Sequence, residues 1–171
     1  AHSFDLALNH TFSERYQLRV TDSFVISQEP DVLRAPNAPM SDFTYHSGNN
    51  IRNFGAITLN AKVTRLFSIE LGYANSIYDY EDNGGTAAQP SEAGTLNRIE
   101  NVAHIDGRWQ SQPQTVGLIG YQYGQVDYTA DEPIGFLVGP PITIAMSDRR
   151  NSRSHYGYVG LEHSFRPDLR G

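Results

Sequence analysis

His104 and Asp106 stand two residues apart in Glu100-Asn101-Val102-Ala103-His104-Ile105-Asp106-Gly107-Arg108. An extended backbone therefore turns Glu100, His104, Asp106 and Arg108 to one side. An imidazole beside a carboxylate is suited to acid–base work. No nucleophile accompanies the pair, and side chains two apart on one face have no assured hydrogen bond. The reading adopted is a ladder in which Arg98, Glu100, Asp106 and Arg108 neutralise one another and their cross-strand neighbours. Asp79-Tyr80-Glu81-Asp82-Asn83-Gly84 resembles the opening of a calcium loop, with oxygen ligands at alternate positions before a glycine. Pro90 stands where an EF-hand would place its closing Glu, so the segment reads as a strand-end turn, with weak divalent binding the alternative. His10 and His163 would bind metal only if separate strands met, and they read as interfacial histidines. Ser154-His155 has no evident acidic partner. No catalytic residue, cofactor or metal is expected, and the chain does not read as an enzyme.

The elements that hold these residues announce themselves by repetition. Leu8-Asn9-His10-Thr11-Phe12-Ser13 returns as Leu161-Glu162-His163-Ser164-Phe165-Arg166, with related phrases at Leu59–Thr64 and Ile105–Gln110. Phe12, Val63, Trp109 and Phe165 are 51, 46 and 56 residues apart. A unit of strand, tight turn, strand and long loop gives that period. Seven alternating runs result. Phe4, Leu6, Leu8, His10 and Phe12 share one face of the first, and Tyr16, Leu18, Val20, Phe24 and Ile26 share one face of the second, where Asp22 is an exception. The sixth run, Thr115 to Tyr128, is ambiguous: Val116 and Leu118 oppose Ile119, Tyr121 and Tyr123. Short connections at 13–15, 64–66 and 110–114 alternate with long polar ones at 28–52, 82–97 and 129–152. The apolar stretch Pro133 to Met146 in the last of these is expected either to fold inward or against a neighbour, or to form an added hairpin turned at Gly139-Pro140-Pro141.

Composition narrows the classes. The chain has 171 residues, 39% of them hydrophobic, and the longest apolar runs are a handful of residues, too short for a transmembrane helix. Cysteine is absent, which removes disulfides, thiol catalysis and cysteine metal sites. A net charge of −6 without a basic patch argues against nucleic acid as a partner.

Alternation suits a soluble barrel or sandwich as well as a membrane barrel. Two aromatic clusters and the short-turn, long-loop asymmetry favour the membrane. One cluster, Phe12, Tyr16, Phe67, Trp109 and Phe165, lies where runs meet the short turns. The other, Tyr78, Tyr80, Tyr128 and Tyr156, lies near the long loops. Leu8, Leu18, Val20, Leu59, Ile69, Leu71, Ile105 and Leu161 are expected to face lipid. Arg19, Lys62, Glu70, Arg98, Glu100, Asp106, Arg108 and Glu162 are expected to line the interior. The expected fold is all-β, with antiparallel up-and-down hairpins forming part of a transmembrane β-barrel, a single segment over 1–171. Seven strands cannot close an all-antiparallel barrel, because the first and last run the same way. Open edges in lipid would leave backbone groups unpaired at several kcal/mol each. Completion is therefore expected from further strands of the same barrel or from neighbouring subunits.

The hairpin rhythm, and the phrase Tyr158-Val159-Gly160-Leu161-Glu162-His163-Ser164-Phe165-Arg166-Pro167, resemble bacterial outer-membrane β-barrel proteins, nearest to the loosely defined porin-like families. The resemblance is one of pattern across most of the chain. It implies a bacterial outer membrane, lipid as surroundings and a passive channel for small polar solutes, and it transfers no ligand or catalytic residue. A non-enzymatic structural or assembly barrel whose loops bind a partner, and a soluble ligand-binding barrel, are the other readings.

Overall fold

A computed structural model describes residues 1–28, 31–33, 44–46, 49–81, 84–166 and 169–170. In chain order the elements are β1 (His2–Thr11), β2 (Tyr16–Ser27), β3 (Asp31–Leu33), β4 (Thr44–His46), β5 (Asn50–Lys62), β6 (Phe67–Tyr80) and α1 (Glu92–Leu96). Then come β7 (Arg98–Gln112), β8 (Thr115–Tyr128), β9 (Pro133–Leu137), β10 (Thr143–Met146), a 3-10 turn (Ser147–Arg150), β11 (Ser152–Arg166) and β12 (Leu169–Arg170). The all-β expectation holds. Seven long antiparallel strands pair in the order β1-β2-β5-β6-β7-β8-β11, with the two-residue β12 beyond β11. The sheet is open: β1 forms one edge and β12 the other. No helix among the described residues is long and apolar enough to cross a membrane.

The tight turns form for local reasons. Thr64 Oγ1 accepts hydrogen bonds from the amides of Leu66 (3.2 Å) and Phe67 (3.0 Å), while the Thr64 amide donates to the Phe67 carbonyl at 3.0 Å. Ser13 Oγ accepts from the Arg15 amide in the first turn. A hydroxyl that satisfies backbone donors replaces ladder bonds that the reversing chain must give up. The third turn is tighter than its sequence suggests, because β7 runs through Gln112 and resumes as β8 at Thr115. The stretch from Pro133 to Met146 is the added hairpin, β9 paired with β10, its tip carrying an exposed Val138.

Register sorts the side chains. Leu18 pairs with Leu59, Leu59 with Leu71, Leu71 with Ile105, and Ile105 with Tyr121, one continuous row across five strands. The same register puts Ile119, Tyr121 and Tyr123 on the apolar face and Val116 and Leu118 on the charged one, which resolves β8. Asp22 turns out to belong to a polar row. It pairs with Gly55, followed by Asn75, Asn101 and Gln125 on successive strands. Asn53 Nδ2 donates to Asp22 at 3.0 Å, and both Tyr73 Oη (2.7 Å) and Asn75 Nδ2 (2.9 Å) donate to Asn101.

Burial is concentrated at the long-loop end. Among the described residues the buried hydrophobic side chains are Tyr80 and Ala93. The apolar face of the sheet is bare: Leu8 is 55% exposed, Leu71 44%, Ile119 62% and Leu161 69%. A self-contained antiparallel sheet in water covers one face with a core, and this one covers neither.

Candidate functional site

The opposite face carries the charge. Every residue expected on the polar side, Arg19, Lys62, Glu70, Arg98, Glu100, Asp106, Arg108 and Glu162, shares this face by register, and the eight residues expected towards lipid share the other. Tyr16, Phe67 and Trp109 lie on the apolar face beside the short turns, and Phe12, just past β1, sets its ring edge-on against His10 of that face. Phe165 falls within β11, and its side chain lies outside the described residues. The second aromatic belt requires correction. Tyr78 pairs with Arg98, and Arg98 with Tyr128, on the charged face, while Tyr156 pairs with Gln122 on that face too. Tyr80 is buried. The apolar face instead presents Tyr73 and Tyr123 in the row next to the polar one, with Tyr121 one row further.

Part of the expected ladder is present. Arg98 Nε donates to Glu100 at 2.6 Å, and the Arg98 guanidinium lies 3.9 Å from the Tyr78 ring centre. Arg108 reaches across β8 to Glu162, 3.4 Å away. Asp106 departs from the pattern, taking a hydrogen bond from the Tyr158 hydroxyl on Oδ1. Its Oδ2 lies 3.8 Å from His104 Nε2, which is also 3.4 Å from Glu70 Oε1. Glu70 and Asp106 are direct partners across β6 and β7, and His104 is opposite Gly72.

Two glycines shape this cluster. A Cβ on Gly72 would occupy the space of the His104 ring, and one on Gly120 would collide with both Tyr158 and Asp106. With hydrogen at both positions, side chains reach across neighbouring strands and converge. A small cavity of about 160 Å³ opens alongside, lined by Glu70, Asp106, Arg108, Leu118 and Tyr158 among others. The arrangement suits a cation or a polar solute.

Other candidates disperse. Ser154 and His155 are consecutive in β11 and so point to opposite faces, and His155 Nδ1 meets Tyr121 Oη at 2.6 Å. His10 stacks edge-on against Phe12 in β1, whereas His163 in β11 meets Thr115, at the other side of the sheet. In the calcium-like phrase Asp82 and Asn83 lie outside the described residues. Asp79 accepts from Asn97 Nδ2 at 3.2 Å and Glu81 from Asn49 Nδ2 at 2.8 Å.

Sequence reading missed a polar knot tying two long loops together. Glu132 accepts hydrogen bonds from the amides of Gly84 (2.9 Å) and Gly85 (3.3 Å) and from the Ser91 hydroxyl. Ser91 also caps α1, accepting from the Gly94 amide at 2.8 Å. The Ser91 bond, then the Gly84 bond, hold the Glu132 carboxyl below its ordinary value of 4.5. Arg150 Nη1 closes the knot on the Thr95 carbonyl at 2.6 Å. Comparison with known protein families, with curated proteins and with solved structures finds no match.

Proposed function

We propose that this chain forms part of the wall of an outer-membrane β-barrel, its apolar face against lipid and its charged face lining a passive path for small polar solutes. The observation that carries the reading is the bare apolar face of a 171-residue chain whose described residues bury only Tyr80 and Ala93 among hydrophobics. An apolar surface spread over seven strands must be covered by something. Its dimensions favour lipid. From Asn101 in the polar row to Ser111 at the turn, β7 covers about 33 Å along its axis, or about 25 Å of height at a tilt of about 40°. That height matches the apolar band of a membrane barrel, with Trp109 and Phe67 at one border and Tyr73 and Tyr123 towards the other. The mixed charge of the other face, Arg19, Lys62 and Glu70 among it, suits a water-filled interior that passes polar solutes of either sign. Closure then comes from further strands or neighbouring subunits along β1 and β11, since unpaired edges are not tolerated in lipid.

The test uses the full-length native protein. Membrane fractionation followed by gel migration of heated and unheated samples should give an outer-membrane fraction with a heat-dependent shift, and planar bilayers should then record discrete conductance steps. A folded membrane protein without steps would leave a scaffold rather than a channel. A product soluble without detergent would turn the apolar face into the inside of a binding barrel.

A further inference from the structure

From the convergence of Glu70, His104 and Asp106 on the charged face, we propose that these side chains form a binding site for a divalent ion of the borderline class, Zn²⁺ or a close analogue. Their ligand atoms all lie within 4.8 Å of one another. Bonds of about 2.0–2.1 Å in a tetrahedral array place neighbouring ligand atoms about 3.3–3.4 Å apart. The separations of 3.4 Å between His104 Nε2 and Glu70 Oε1 and 3.8 Å between His104 Nε2 and Asp106 Oδ2 are close to that spacing. Small rotations of half-exposed side chains suffice to seat an ion.

Three independent features point the same way. Glu70 and Asp106 face each other directly across β6 and β7, and like charges in that position repel. The nearest arginine on β7, Arg108, turns to Glu162 instead of relieving them. Tyr158 occupies Oδ1 of Asp106 and leaves Oδ2 towards His104, the outer-shell hydrogen bond that fixes a carboxylate ligand. Gly72 leaves the slot that holds the imidazole over β6, and the adjoining cavity admits the waters that complete the coordination. One imidazole with two carboxylates selects Zn²⁺-like ions over Ca²⁺ and Mg²⁺, which prefer all-oxygen shells. The site needs only the strand register, so it goes beyond the channel reading and stands whether or not the sheet enters a membrane.

The experiment measures zinc on the full-length folded protein after dialysis against Zn²⁺, by elemental mass spectrometry. Wild type should retain one equivalent per chain, and His104→Gln and Glu70→Gln should lose it while keeping the wild-type far-ultraviolet circular dichroism. Tyr158→Phe, which spares every ligand, should weaken binding roughly tenfold. The His104 imidazole ¹⁵N resonance of the wild type should move on adding Zn²⁺, a readout that does not require any variant to fold. No zinc on wild type, zinc surviving both ligand substitutions, or an unmoved His104 resonance would each overturn the site.

Discussion

Leu71 sits at the centre of a row in which Leu18, Leu59, Ile105 and Tyr121 are its cross-strand companions, on strands that have neighbours on both sides. If that row meets lipid, an arginine there must hold its charge at mid-bilayer. Leu71→Arg is expected to destabilise the folded protein by roughly 2–4 kcal/mol, and Leu18→Arg similarly. Denaturant titration in detergent or lipid checks this. Folding of both variants at wild-type stability would mean that the apolar face is not the lipid face. Arg19, next to Leu18, is the internal control: it already carries charge, on the opposite face, so Arg19→Leu should leave insertion intact. The same row illustrates what was legible. Two-residue alternation gave the other long strands their faces but left β8 ambiguous, and the Ile105–Tyr121 pairing settled that strand. Alternation did not reveal that Glu70 lies opposite Asp106, because that depends on the β6–β7 register across the long connection between Tyr80 and Arg98, and no local pattern encodes it.

At the level of elements the sheet and the loops obey different rules. The tight turns and strands were legible because hydroxyl-capped turns and alternating residues are local signals. The loop knot was not: Glu132 and Ser91 are 41 residues apart, and α1 has only five residues. The second aromatic belt was misplaced for a related reason. Tyr78 and Tyr128 are near the long loops in sequence, but register turns them to the charged face, where Arg98 and Arg150 lie over their rings. The knot makes a pH prediction. Glu132 is stabilised as a carboxylate by three donors, so its folded pKa lies below the unfolded 4.5. The linked stability is fully present above the unfolded value and fades as the pH falls through the depressed folded one. The loops at 84–97 and 129–151 should therefore exchange amide hydrogens faster in that acid window while the strands stay protected. Glu132→Gln should produce the same loop-selective loss at neutral pH. Equal exchange in wild type and variant would remove Glu132 from its role as the fastening point.

For the whole molecule, the question is how deep the sheet sits and which end leads, and a single residue can report it. Trp109 is the only tryptophan in the chain. It is 58% exposed on the apolar face, paired with Phe67 at the short-turn end. The barrel reading sets this ring at an interface, about 20 Å in height from the polar row of Asn75 and Asn101. Reconstituted into vesicles, the protein should show a blue-shifted tryptophan emission relative to unfolded chain in urea. Lipids brominated near the headgroup should quench it more strongly than lipids brominated near the chain terminus, because an indole anchors at the boundary between tails and headgroups. Stronger quenching by deep bromines would move the band towards the turns, and the height estimated from β7 would have to shrink. Quenching by aqueous acrylamide alone, with bromines silent, would take the short-turn end out of the bilayer. The apolar face would then need a protein cover, because the exposed leucine, isoleucine, valine and tyrosine on it cannot stay in water with so little core among the described residues.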